Sequence, residues 1–65
     1  MEIIVNNKVY NVKPGSTVMD ILKEIGLPGQ VAVWVNEHKL LQQEYQIYTL
    51  QPGDRLKIIK PLVGG

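Results

Sequence analysis

Residues 14–28 read Pro14-Gly15-Ser16-Thr17-Val18-Met19-Asp20-Ile21-Leu22-Lys23-Glu24-Ile25-Gly26-Leu27-Pro28, a short helix with both of its ends written out. Val18, Ile21, Leu22 and Ile25 recur at the i, i+3, i+4, i+7 spacing of one apolar face, while Asp20, Lys23 and Glu24 fall on the other. Thr17 is a good N-cap, and Asp20, three residues on, brings a carboxylate to the free backbone N–H groups and to the positive end of the helix. Gly26 supplies the left-handed residue that closes a helix, and Pro28 forbids its continuation. The spacing predicts a helix over residues 18–25. So short a helix is not stable alone in water, so it must lie on a sheet.

Strand signals stand on both sides of it. Ile3-Ile4-Val5 is a β-branched run, Asn6-Asn7 offers a tight turn, and Val9-Tyr10-Asn11-Val12 follows, which reads as a hairpin. Alternation puts Ile3 and Val5 on one face and Ile4 on the other. After the helix, Val31-Ala32-Val33-Trp34-Val35 forms a third strand ended by Asn36-Glu37, with the three valines on one face and Ala32 and Trp34 on the other. Residues 38–50 are less regular: Lys39-Leu40-Leu41 reads as a short strand and 42–48 as a single helical turn. Gln51-Pro52-Gly53-Asp54 is a turn, and Arg55-Leu56-Lys57-Ile58-Ile59-Lys60 is the last strand, with Pro61 ending its ladder. One helix crossing a mixed sheet of four or five strands is an α+β layout. If the first and last strands pair at its centre, the chain leaves from one end of a rigid platform.

Length and composition narrow the function. At 65 residues the chain is a single domain near the lower limit for a self-sufficient core. It has no cysteine and one histidine, His38, so neither a disulfide framework nor a thiolate or His-based zinc site is expected, and His38 reads as a solvated loop residue. Seven Lys and Arg against six Asp and Glu leave a net charge of +1, too balanced for a charge-driven nucleic-acid binder. No apolar run reaches membrane-spanning length and no signal peptide precedes the first strand, so a cytoplasmic protein is expected. The single glycine of Pro14-Gly15-Ser16-Thr17 falls far short of a phosphate-binding loop.

The last residues are Leu62-Val63-Gly64-Gly65. With glycine at roughly 7% of residues, two at a chosen end occur by chance in about one chain in 200. Glycine lacks a Cβ and threads channels that no side chain can enter. A frayed terminus or the stub of a glycine linker is the plain alternative.

Taken in order, Pro14-Gly15-Ser16-Thr17-Val18 before the helix, Val35-Asn36 closing the third strand, Gly53-Asp54 before the last strand, and Gly64-Gly65 make the chain resemble the ubiquitin-like β-grasp sulfur carriers. The likeness is strongest to the thiamine-pathway, or ThiS, family, and it spans the whole length. It departs at Leu40-Leu41-Gln42 and Tyr45, where that family usually has Val-Pro-Arg and then Trp. The tail Pro61-Leu62-Val63-Gly64-Gly65 is also similar to that of the molybdopterin-pathway (MoaD) carriers.

The resemblance implies a β-grasp domain over residues 1–60 and a flexible tail over 61–65. It also implies a carrier that is not itself an enzyme and binds no cofactor or metal. A partner adenylating enzyme (ThiF-like) joins the Gly65 carboxylate to AMP, using Mg-ATP. A sulfur donor such as a cysteine desulfurase then provides the sulfur of a thiocarboxylate, which a thiazole synthase (ThiG-like) or the large subunit of molybdopterin synthase consumes. In this scheme Gly65 is the reactive end, Gly64 gives clearance, and Leu62 and Val63 grip the channel mouth. If the strands pair as in the family, Ile4, Trp34 and Ile59 form an outer apolar patch for partner binding, with Arg55, Lys57 and Lys60 at its rim. The other role for Trp34 is packing beneath residues 38–50. The free carrier is expected to be a monomer. The alternatives are the small subunit of molybdopterin synthase, a ubiquitin-like modifier linked through Gly65 to lysines, and a β-grasp module that binds RNA or protein.

Overall fold

The computed structural model describes residues 1–60. The element order is β1 (Glu2–Val5), β2 (Lys8–Asn11), α1 (Val18–Ile25), β3 (Ala32–Val35), β4 (His38–Lys39), a 3-10 turn (Gln42–Glu44) and β5 (Arg55–Ile59). The strands form one sheet in the order β2-β1-β5-β3-β4, with β1 and β5 parallel and the other neighbours antiparallel. The last described strand therefore lies at the centre of the sheet.

Both hairpins turn on two residues in the left-handed region, Asn6 and Asn7 (φ 49° and 68°) and Asn36 and Glu37 (φ 48° and 73°). Two consecutive positive φ angles make the tight turn whose twist matches that of the strands it joins. These turns set the strand boundaries. Pairing resumes at once with Val5 opposite Lys8 and Val35 opposite His38, so β2 begins at Lys8 and β4 at His38 rather than at Val9 and Lys39. His38 is thus an exposed strand residue rather than part of a loop. Lys60 gains no partner, because β3 starts at Ala32 and Ala32 is opposite Ile59. The tail expected at residues 61–65, with Pro61 as the end of the ladder and Leu62, Val63, Gly64 and Gly65 in their assigned roles, lies outside the described residues.

α1 spans the residues that the spacing predicts. Thr17 Oγ1 accepts from Asp20 N at 3.2 Å, and Asp20 Oδ2 accepts from Thr17 N at 2.9 Å. The Thr17 backbone N–H first, and the Thr17 hydroxyl second, hold the Asp20 carboxyl below its ordinary value. Gly26 closes the helix at φ 86°, and its N–H and that of Leu27 both return to the Leu22 carbonyl. Val18, Ile21 and Leu22 are fully buried, each contributing about 1.5–3 kcal/mol relative to exposure. That burial, rather than intrinsic propensity, holds a helix of eight residues.

The core lies between α1 and the inner sheet face, where Ile3, Val5, Val33, Val35, Leu56 and Ile58 point. The irregular segment closes it from the side with Leu40, Tyr45 and Leu50. Tyr45 is 1% exposed, and its hydroxyl donates to the Val31 carbonyl at 2.8 Å.

Candidate functional site

β5 positions the candidate site because it lies between β1 and β3, so that its outward side chains stand beside those of both strands. Strand register puts Ile4 opposite Arg55 on β1, and Trp34 opposite Lys57 on β3. Lys39 on β4 is opposite Trp34 in turn, and Val9 on β2 is opposite Ile4. Two rows result on the outer face, Val9–Ile4–Arg55 and Lys57–Trp34–Lys39. Ile4, Trp34, Arg55 and Lys57 line one shallow concavity, whose ends are the two hairpin turns. Ile59 is on the same face one step further along β5, opposite Ala32 and 44% exposed.

The charge does not lie where the sequence reading put it. Arg55 and Lys57 do not rim an apolar patch; being on the central strand, they run through its middle, between Ile4 and Trp34. Lys60 lies past the end of β5 and is exposed. Lys39, which sequence reasoning did not single out, belongs to the site. Its ammonium is 5.7 Å from the centre of the Trp34 ring, and that of Lys57 is 5.8 Å away, both within cation–π range. Lys39 was already within the expected short strand 39–41; its pairing opposite Trp34, which brings it to this site, was not legible there.

Trp34 is half-buried. Residues 38–50 send Leu40, Tyr45 and Leu50 into the core on the opposite face, and Lys39 brings its ammonium over the Trp34 ring. The platform thus presents an indole held between two cations, with Ile4 across β5 and Ile59 further along it on the same face.

Phosphate binding at the start of α1 is disfavoured by its hydrogen bonds. A helix begins with four N–H groups lacking helical partners. Here Thr17 N and Asp20 N are taken by the capping pair, Val18 N donates to the Tyr48 carbonyl at 3.1 Å, and Met19 N donates to that of Tyr45 at 2.8 Å. Among the described residues, no three His, Cys, Asp or Glu side chains come together as metal ligands, and no helix is long and apolar enough to cross a membrane.

One helix crossing a five-stranded mixed sheet, with the last strand at its centre beside a parallel first strand, defines a ubiquitin-like β-grasp domain. The sequence profile of the ThiS family matches residues 3–65, and the chain belongs to that family. The fold is similar to the crystal structure of the thiamine biosynthesis protein ThiS from Geobacter metallireducens, with a TM-score of 0.83 and 23% identity over 100% of both chains. The solution structure of a thiamine biosynthesis protein from the same organism gives 0.77 at 23% identity, covering 100% of this chain and 88% of that one. At that identity the likeness establishes the shared fold. No curated protein matches the chain.

Proposed function

We propose that this protein is a sulfur carrier for thiamine biosynthesis, and that its working group is the carboxylate of Gly65. Membership of the ThiS family over residues 3–65 is the observation that carries the reading. A carboxylate is a poor electrophile because its charge is delocalised and its leaving group is oxide. In the proposed cycle an adenylating enzyme (ThiF-like) uses Mg-ATP; a Gly65 oxygen attacks the α-phosphorus and pyrophosphate leaves. The sulfur of a persulfide then attacks the acyl carbon and AMP departs. A thiol cleaves the resulting S–S bond, forming a disulfide and leaving a thiocarboxylate on Gly65. A thiazole synthase (ThiG-like) is the proposed acceptor; the large subunit of molybdopterin synthase is the rival one.

In this scheme the carrier supplies no acid, base, metal or cofactor and is not itself an enzyme. Its own contribution is a surface and a narrow tail. The row Lys57–Trp34–Lys39, together with Ile4, Arg55 and Ile59, suits a partner surface that pairs an apolar socket with carboxylates set within it. Gly64 removes the side chain that would obstruct the approach to the nucleotide, while Leu62 and Val63 hold the channel mouth. The reading puts the protein in the cytoplasm, where ATP is available, as a monomer when free.

The test is pyrophosphate release from Mg-ATP with an adenylating enzyme and either this chain or a variant lacking Gly65. The proposal requires release that depends on the chain and is lost with Gly65. Release indifferent to Gly65 would overturn it.

A further inference from the structure

We propose that Asn6 is a positioning residue for the carboxyl-terminal tail, acting through Ile58; the inference rests on the sulfur-carrier reading above. β1 ends at Val5, where the hairpin turns away from the sheet, yet β5 continues for three residues beyond Leu56, the partner of Val5. Along β5 the backbone groups of alternate residues face opposite neighbours. The Leu56 carbonyl accepts from Asn6 N at 2.9 Å on the β1 side, so the N–H and C=O of Ile58 face that side as well, where the strand has already ended. The Asn6 side chain fills the gap. Its Oδ1 accepts from Ile58 N at 2.8 Å, and its Nδ2 donates to the Ile58 carbonyl at 3.1 Å. One carboxamide thus imitates a peptide unit and adds a rung that the main chain of β1 cannot supply.

That rung is the last hold on β5 from the β1 side, and it falls one residue before the strand ends at Ile59. Without it, among the described residues, the end of β5 is held from the β3 side alone, through Ala32 opposite Ile59. The direction in which the chain leaves the sheet is then set by one neighbour instead of two. Chemistry at a carboxylate presented to a nucleotide is sensitive to that direction, because an error of about 1 Å in a reacting group can cost 100-fold in rate.

A turn-forming role for Asn6 is separable from this one. Asn6 has φ 49°, a conformation that glycine adopts freely. Asn6→Gly therefore keeps the turn and deletes only the carboxamide. A comparison variant, Ile21→Val, trims the buried face of α1 and leaves the rung intact.

The experiment measures amide hydrogen exchange at Ile58, and the carrier dependence of adenylation with a ThiF-like enzyme and Mg-ATP, for wild type, Asn6→Gly and Ile21→Val below their unfolding temperatures. The expected result for Asn6→Gly is faster exchange at Ile58, retained protection at Lys57, and kcat lower by about tenfold with KM within about twofold. Ile21→Val keeps the wild-type kcat. An unchanged kcat in Asn6→Gly, an equal fall in Ile21→Val, or a loss confined to KM overturns the proposal; the last would assign Asn6 to docking instead. A wild-type chain that is not adenylated sinks the carrier reading and the role of Asn6 with it. An adenylated wild type beside an unaffected Asn6→Gly sinks the role of Asn6 alone.

Discussion

Tyr45→Phe isolates one buried hydrogen bond. The ring is 1% exposed and stays in place in the variant, so its packing is retained. What is lost is the hydroxyl that donates to the Val31 carbonyl at 2.8 Å. Val31 lies just before β3 begins, with its carbonyl tied to the irregular segment through this bond, and it is itself fully buried. Leaving a buried acceptor short of a partner costs about 1–3 kcal/mol. A domain of this size has a total stability of roughly 3–10 kcal/mol, so the loss is a large share of it. Taking about 2 kcal/mol as the middle of the range, the midpoint of thermal unfolding should fall by roughly 8–16 °C. Urea unfolding followed by the fluorescence of Trp34, the single tryptophan, gives the free energy directly. Tyr45→Ala should cost about 3–5 kcal/mol, enough to leave much of the chain unfolded. A Tyr45→Phe protein within about 0.5 kcal/mol of wild type would refute the view that this bond ties the irregular segment to the sheet.

Four further outcomes are expected. Thr17→Ala should lower stability by about 1 kcal/mol in urea unfolding, because Asp20 N loses its acceptor; no change would mean that the cap is not formed in solution. Asp20 has its carboxyl held below its ordinary value of 3.8, so its contribution is present above that value and is lost as pH falls through the folded one. Asp20→Asn should therefore be less stable than wild type at neutral pH, with the gap closing in acid; a constant gap would contradict the linkage. Glu37 sits at φ 73°, where a side chain is strained, so Glu37→Gly should raise stability by about 1 kcal/mol, and a lower unfolding midpoint would count against the tight turn. Trp34→Ala should weaken binding to the adenylating enzyme more than it weakens folding, as titration calorimetry and thermal unfolding together can decide; a collapse of stability with unaltered binding would make Trp34 a packing residue.

What the sequence revealed, and what it concealed, divides by the range of the interaction. The helix was legible because Thr17, Asp20 and Gly26 act within one turn of it, and the first hairpin because Asn6-Asn7 carries its turn chemistry locally; at Asn36-Glu37 the turn was legible but the hairpin it makes with β4 was not. Alternation separated Ile4, Trp34 and Ile59 from the core residues beside them, and the family's strand pairing implied that they share the outer face. The place of Arg55 and Lys57 in the middle of the site did not, since rim and centre depend on which strands flank β5. The two asparagines were equally hidden: as turn residues they were evident, but the Asn6 amide reaches Ile58, and the Asn36 amide spans Asp54 and Arg55. Asp54 read as a turn residue, yet it is 8% exposed, accepting from Asn36 Nδ2 at 2.9 Å and from Gln51 N at 2.8 Å. Tyr45, where the family usually has tryptophan nearby, looked like a departure bearing on pathway; its burial gives it a structural task.

The central claim is that sulfur is carried on Gly65, and thiol alkylation tests it most directly. The chain would be incubated with an adenylating enzyme, Mg-ATP and a persulfide donor, treated with a thiol-alkylating reagent, and mapped by mass spectrometry. Intact mass alone is ambiguous, because exchanging oxygen for sulfur nearly matches oxidation of Met1 or Met19. With no cysteine in the chain, the thiocarboxylate is the one thiol-like group such a reagent would find, and its alkylation gives a thioester at Gly65. The account predicts an adduct on Gly65 that requires ATP and the donor together. A Gly65 that is adenylated but never alkylated, and is found instead joined to lysines of other proteins, would contradict it and make the chain a modifier.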